Sequence, residues 1–193
     1  MKKWNVEINW NGAYGSDEWQ VANEDGPIEA ATAEEAEDML SPEFLAERGV
    51  TLLLSDLDFT LAAKKTPRPD QPLRDWIADL AAHDIGFMIV SNNRSGRRVT
   101  EFCADLGVPY QGHAGKPSTK GLEAAMARAG ADRAHTAMLG DKLLTDMLAA
   151  NRAGVLALMV EPVGGAVTAW QRVLHGLQSP FKAACRRRTA KIG

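Results

Sequence analysis

The sequence predicts an α/β protein in which a parallel sheet carries helices on both faces. Three observations predict it. From residue 50 onward, short near-continuous apolar runs alternate with amphipathic stretches, as parallel strands buried on both sides do when helices space them. Four of those runs lead into an ionisable or hydroxyl residue, and in open α/β sheets ligands bind at the carboxyl ends of the strands. Finally, 193 residues with 45% hydrophobic and 24% charged side chains fit one core-burying domain with a small appendage. This composition excludes wholesale disorder.

The first forty residues follow a different pattern. Trp4, Val6, Ile8 and Trp10 alternate with Asn5, Glu7 and Asn9, the period of a half-buried strand. Asn11-Gly12 marks a turn, and 18–22 reads as the return strand. Asp25-Gly26-Pro27 turns again before a short segment over 28–31. Thr32 and Glu35 form a capping box that opens a helix through Leu40. Residues 1–40 therefore read as an acidic ββ(β)α appendage. It is too small to be stable alone and should pack on the rest of the chain or on a partner, whose identity is unknown. Ser41-Pro42 then caps and starts a helix that ends at Gly49.

The body spans 41–178. Strands are expected over 50–55, 86–90, 108–111, 134–139 and 155–160, with helices over 72–83, 95–106, 119–129 and 143–153 and a further one near 166–177. Residues 179–193 form a basic tail with Lys182, Arg186, Arg187, Arg188 and Lys191. No internal repeat is present.

The net charge of −3 conceals an asymmetry. Residues 1–50 hold 12 acids and 3 bases, giving −9; residues 51–193 hold 13 acids and 19 bases, giving +6. A basic body favours an anionic partner. A nucleic-acid partner is not expected. Cys103 and Cys185 are too few for a disulfide framework, no apolar run approaches a membrane span, and the N-terminus lacks a signal-like apolar stretch. The expected location is cytoplasmic.

The polar groups at the strand ends carry the chemistry. The first strand runs into Asp56-Leu57-Asp58-Phe59-Thr60 and the second into Ser91-Asn92-Asn93; Lys116 follows the third, and the fourth gives Asp141 with Asp146 soon after. Asp56 and Asp58 are two apart, so on extended backbone both carboxylates project to one side. Asp141 adds a third hard oxygen ligand, a set suited to Mg²⁺ and its phosphate ligands. One carboxylate can attack phosphorus, and a second can protonate the leaving alkoxide and then deprotonate water. Ser91, backbone N–H groups near Asn92 and the Lys116 ammonium can hold phosphoryl oxygens. The pattern reads as phosphoryl transfer.

This arrangement resembles the haloacid dehalogenase (HAD) superfamily, whose four motifs occur here in order: LLLSDLDFTL, IVSNN, Lys116 in GKP, and GDKLLTD. The resemblance narrows to the YqeG-like, subclass IIIA phosphatases through SNNRSGRRV and the GD-x-x-x-TD-x-x-x-x-NR-x-G run ending at Gly154. It covers about residues 41–178 and leaves 1–40 unmatched. The resemblance implies a Rossmann-like HAD fold, Asp56 as nucleophile, Asp58 as general acid/base, and Ser91 and Lys116 as phosphate binders. Thr60 would brace the loop after the first strand. Asp56, the Asp58 carbonyl and Asp141 would bind Mg²⁺, with Asp146 a ligand or a neighbour of the ligands.

Two positions depart from the family pattern. Phe59 stands where Asn or Gly is usual, and Lys142 where Gln is common, adding a positive charge beside the metal site. A bulky residue is costly where φ is positive, so either the loop differs or Phe59 lines the substrate entrance.

Plainer readings exist for single residues. Asp146 could serve the first turn of its helix, Asn92-Asn93-Arg94 could open a helix, and Lys116 could be a surface residue. His83, His113, His135 and His175 lack metal-ligand spacing and read as structural or surface residues. Cys103 reads as core, Glu34–Asp38 as a solvated helix face, and Arg186–Arg188 as weak evidence for anionic lipid.

Only about a dozen loop residues separate Thr60 from the helix at Pro72, and 24 lie between Ser91 and Lys116, so no cap domain fits. An open site suits a phosphate presented on something larger. The resembled family includes phosphatidylglycerophosphate phosphatases, which implies a lipid headgroup at a membrane surface. Competing substrates are nucleotides, sugars and phosphoproteins. Two competing classes are a silent HAD-like scaffold and a receiver-type signalling domain. Intact Asp56 and Asp58 argue against the first. The second needs an acid after the third strand, and none is present.

Overall fold

Every side chain of Leu52–Ser55 is buried, so this strand, β2, needs neighbours on both edges and cover on both faces. In the computed structural model, which describes residues 6–9, 40–63, 66–93, 96–160 and 163, it has all of these. β2 pairs in parallel with β3 (Gly86–Val90) on one side and β5 (Thr136–Gly140) on the other. β4 (Tyr110–Gln111) continues the sheet beyond β3, and β6 (Leu156–Val160) continues it beyond β5, both in parallel. The winding outward from β2 to β4 is followed by a return to β5 and β6. Its direction therefore reverses beside β2, where open α/β sheets form a crevice.

The alternation of side chains along the strands divides the core in two. Leu53, Ile89 and Leu139 pack with Leu45 of α1 (Pro42–Glu47), Leu73 and Leu80 of α2 (Gln71–Ala82) and Phe102 of α3 (Gly96–Leu106). Leu54, Val90 and Met138 face the other way, against Leu122 and Met126 of α4 (Lys120–Ala129) and Ala149 and Ala153 of α5 (Leu148–Ala153). Cys103 belongs to the first cluster, and burial pushes its thiol up to about 11, so it is core as expected. Ser41 caps α1 as read from sequence, and the structure adds Asp70 as the cap of α2. Ser41 Oγ accepts from Phe44 N–H at 3.1 Å, and Asp70 Oδ1 accepts from Leu73 N–H at 3.1 Å.

Several elements differ from expectation, β2 starting two residues late at Leu52. β4 is shorter than 108–111 because Pro109 has no N–H to donate and the Val108 N–H goes to Cys103 O at 3.0 Å. β5 starts two residues late because Asp132 captures the His135 N–H at 3.0 Å. The helix expected over 143–153 begins instead as a π-helical turn, Leu143–Met147, and becomes α-helical only at Leu148. The Lys142 carbonyl accepts from both Asp146 N–H (2.9 Å) and Met147 N–H (3.2 Å), which widens the turn.

From the N-terminal segment, β1 (Val6–Asn9) joins the edge of the main sheet, antiparallel to β6, with Val6 opposite Val160 and Asn9 opposite Ala157. The return strand over 18–22, the segment over 28–31, the body of the helix from Thr32 to Leu40, the helix near 166–177 and the basic tail lie outside the described residues. Between Ser91 and Lys116 the described residues form α3 and β4, leaving no inserted cap. No helix among the described residues is long and apolar enough to cross a membrane.

Candidate active site

The carboxyl ends of β2, β3 and β5 bring the predicted residues to one edge of the sheet. Asp56 follows β2 directly, and its N–H donates to Leu139 O of β5 at 2.9 Å, so the two strand ends stay in step. Because β2 ends at Ser55, the extended-backbone reading of Asp56 and Asp58 does not describe how they are arranged. The loop gives the two carboxylates separate partners.

Asp56 is the buried member. Lys116 Nζ donates to its Oδ1 at 2.9 Å, and Lys142 Nζ donates to its Oδ2 at 3.3 Å. Burial opposes the charged carboxylate, but the two lysines outweigh that cost and hold its pKa below the usual value. Lys116 is no surface residue: its side chain is 1% exposed and also donates to Val90 O at 2.8 Å. Asn92 positions it from outside. The Asn92 amide donates to Lys116 O and accepts from Lys116 N–H, both at 2.8 Å. That side chain is thereby engaged with protein, and the backbone N–H and second amide hydrogen are left for the substrate contact expected of Asn92.

Ser91, at the end of β3, is buried and accepts from the Asn93 N–H at 3.1 Å, which leaves its hydroxyl proton to donate. Thr60 is fully buried and donates to Asp141 Oδ1 at 3.1 Å, so it ties the loop after β2 to the end of β5. The contact directs the hydroxyl to protein.

Asp146 is buried and lies above Gly140. A Cβ on residue 140 would come within 2.4 Å of Asp146 Cβ, which explains the glycine before Asp141. Asp146 Oδ1 meets Lys116 Nζ at 2.7 Å, and Oδ2 accepts the Lys142 N–H at 3.1 Å. A first-turn acid complementing a helix dipole would sit in solvent; this one is an internal partner of Lys116. Burial pushes Asp146 up to about 6 despite Lys116, which it shares with Asp56. Burial likewise raises the Asp141 pKa, with Lys142 only partly offsetting it. For both lysines burial favours loss of the proton, but the surrounding carboxylates reverse that and keep them charged.

One carboxylate oxygen from each of Asp56, Asp141 and Asp146 lies within 4.8 Å of the other two. Lys142 Nζ approaches Asp141 Oδ1 at 2.5 Å and the Asp58 carbonyl at 3.3 Å, so that carbonyl faces the same point. All these donors are hard oxygens, the set Mg²⁺ takes, and no His or Cys joins the group among the described residues.

The Asp58 carboxylate stands apart from this cluster and pairs with Arg98 of α3, which also donates to Thr66 O at 3.0 Å. Sequence reasoning did not single out Arg98, although it is the last arginine of the SNNRSGRRV run. Phe59 adopts φ = +73°, so the loop keeps the left-handed conformation that usually calls for Asn or Gly. Its N–H donates to Ala62 O at 2.8 Å, and its ring centroid lies 5.9 Å from Lys142 Nζ. His83 and His135 pair with Glu43 and Asp132 at 3.3 and 2.8 Å, and His113 is exposed, so none serves the cluster.

Several known proteins are similar to this chain. A family model described as HAD-hydrolase-like matches residues 113–163. A probable phosphatase, YqeG of Bacillus subtilis, is 36% identical over 136 residues, covering 69% of this chain and 78% of its own. Among solved structures, 3-deoxy-D-manno-octulosonate 8-phosphate phosphatase from Yersinia pestis aligns with TM-score 0.46 at 19% identity, covering 68% of this chain and 69% of that one. A putative HAD superfamily (subfamily III A) hydrolase from Legionella pneumophila aligns with TM-score 0.41 at 18% identity, covering 57% and 64%. The Bacillus match, at that identity and coverage, is one of kinship, and the chain belongs to the HAD superfamily as a YqeG-like phosphatase.

Proposed function

We propose that the chain is a Mg²⁺-dependent phosphomonoester hydrolase working through an aspartyl phosphate on Asp56, with phosphatidylglycerophosphate as its substrate. The observation that carries the chemistry is the carboxylate of Asp56, buried yet held anionic between Lys116 and Lys142. An anionic carboxylate has the lone pair a nucleophile needs, and its position at a strand end leaves it facing the crevice.

In the first half-reaction Asp56 attacks phosphorus, and Asp58 donates a proton to the departing alkoxide. In the second, Asp58 accepts a proton from water as that water attacks the aspartyl phosphate, which releases inorganic phosphate and restores Asp56. Lys116, the Ser91 hydroxyl and the Asn92 backbone N–H bind the phosphoryl oxygens throughout. Asp56, the Asp58 carbonyl and Asp141 would hold Mg²⁺, with Asp146 beside them. When bound, the ion supplies positive charge against the phosphoryl oxygens. Asp58 can carry a proton only when Arg98 releases it, so Arg98 is a positioning residue.

The substrate rests on kinship and on openness. A site without a cap cannot enclose a small metabolite, whereas a headgroup at a bilayer surface needs no enclosure. The +6 charge of residues 51–193 favours an anionic surface. A cytoplasmic protein bound peripherally to membrane is the corresponding location.

The test is phosphate release by purified protein from phosphatidylglycerophosphate in vesicles, compared with nucleotide, sugar and phosphoprotein substrates, each with Mg²⁺ and with chelator. Preferential Mg²⁺-dependent release from the lipid supports the assignment. Preference for any other phosphoester excludes the lipid, and full activity in chelator excludes the metal requirement.

A further inference from the structure

Lys142 stands at a singular point. Its ammonium lies 2.5 Å from Asp141 Oδ1, 3.3 Å from Asp56 Oδ2 and 3.3 Å from the Asp58 carbonyl. Those are the three groups that the proposed function assigns to Mg²⁺. We propose that Lys142 is a built-in competitor for the divalent cation, so that binding of Mg²⁺ requires its ammonium to leave the oxygens it contacts.

The argument is electrostatic and geometric. An ammonium and a divalent cation drawn to the same oxygens would stand within a few ångströms of each other, where their repulsion is strong in a partly buried setting. Mg²⁺ binds oxygens at about 2.0–2.1 Å and demands near-octahedral order, which leaves no place for an N–H donor among the same lone pairs. Lys142 also has somewhere to go. Its side chain is 36% exposed, in contrast to 1% for Lys116, and four methylenes let the head group reach solvent while the backbone stays in place. The Phe59 ring, 5.9 Å from the ammonium, borders that path and offers a cation–π contact. The two positions that depart from the family pattern are thus neighbours in space.

Competition lowers the apparent affinity for the ion by the fraction of molecules whose oxygens are not engaged by Lys142. It also means that the ammonium relieves repulsion between Asp56 and Asp141 before any ion arrives. Two measurements follow, neither of which depends on turnover.

The experiment is titration calorimetry of Mg²⁺ into the full chain, with thermal unfolding in chelator and in Mg²⁺, for wild type, Lys142→Gln and Lys142→Arg. The expected result is that Lys142→Gln binds Mg²⁺ about tenfold more tightly or better. It should also melt below wild type in chelator and gain more from added Mg²⁺. Lys142→Arg keeps the charge and should not tighten binding; tightening there as great as in Lys142→Gln overturns competition. Equal affinity in wild type and Lys142→Gln overturns it while leaving the proposed function intact, as does weaker binding in Lys142→Gln. This inference rests on the proposed metal site. If no variant binds Mg²⁺ at millimolar concentration while aryl phosphate is still hydrolysed, the metal assignment fails and the competition fails with it. If Lys142→Gln does not fold, the wild type still decides: competition requires that the nuclear magnetic resonance signal of the Lys142 side chain move as Mg²⁺ binds, and an unchanged signal with Mg²⁺ bound overturns it.

Discussion

The buried cluster at the ends of β2 and β5 and the Asp58–Arg98 pair beside it hold opposite charges in different ways. In the cluster, Lys116 is 1% exposed and meets two carboxylates, Asp56 and Asp146, that are nearly as buried. In the outer pair, Arg98 and Asp58 side chains are 26% and 16% exposed, and each has water at hand. Removing one partner from the cluster leaves an uncompensated charge in low dielectric, whereas water can replace the missing partner in the outer pair. The cluster therefore ties chemistry to folding, and the outer pair separates them.

Asp56→Asn is the most severe break on the chemical side. The amide keeps the shape of the side chain and its oxygen can still accept from Lys116, but its NH2 group cannot accept from Lys142, and it cannot form the aspartyl phosphate. Turnover of an aryl phosphate should fall by at least roughly 10⁴-fold, with the far-ultraviolet circular dichroism retained. Activity near that of wild type removes Asp56 from the nucleophile role.

Lys116→Met and Arg98→Gln test the contrast itself. Lys116→Met leaves Asp56 and Asp146 facing each other without their shared ammonium and should cost roughly 3–5 kcal/mol in urea unfolding. Arg98→Gln should cost no more than about 1 kcal/mol. It should nevertheless change kcat, because Asp58 loses the group that positions it, whereas a purely structural role would leave kcat alone in the folded protein. Equal stability losses in the two variants would erase the distinction between the regions.

Gly140→Ala probes how tightly the cluster is built. A methyl there would fall within 2.4 Å of Asp146 Cβ, so the π-helical turn must shift and drag Asp146 from Lys116. A loss of about 1–3 kcal/mol is expected for such overpacking. A neutral result in thermal unfolding would show that the turn yields without disturbing the ion pair.

These contrasts also show what the sequence could and could not announce. Leu52–Ser55 and Thr136–Gly140 were legible because parallel strands buried on both faces leave uninterrupted apolar runs, and the acids that end them stand out against that background. Asp56, Lys116 and Asp141 meet for the same reason, since strand order fixes their separation once the strands are known. The reach of a long side chain is not encoded in any period. Lys142 could be seen as an extra charge near Asp141, but its approach to the Asp58 carbonyl depends on rotamers and on the wide turn that follows. The partner of β1 was likewise hidden, because a period of two declares a strand and says nothing about which edge will receive it. Arg98 reaches Asp58 from a helix forty residues away, a contact that only the packing of α3 on the sheet creates.

Phe59 gives the smallest and cleanest test, because its sign runs against the usual order. At φ = +73° a side chain with a Cβ crowds the backbone, a cost of roughly 1–2 kcal/mol that glycine avoids. Elsewhere in ordered structure, Ala is favoured over Gly by roughly 0.5–1 kcal/mol because glycine loses more freedom on folding. Comparing Phe59→Gly with Phe59→Ala cancels the loss of the ring and its contact with Lys142, since both variants lack it. What is left is the backbone alone. Phe59→Gly should be the more stable of the two by about 1 kcal/mol in urea unfolding. If Phe59→Ala proves more stable, the loop in solution does not keep the left-handed turn, and the position of the Asp58 carbonyl beside Lys142 loses its support. If the expected order holds, the wild-type chain tolerates a strained phenylalanine exactly where the ring borders the ammonium, in the loop that carries both Asp56 and Asp58.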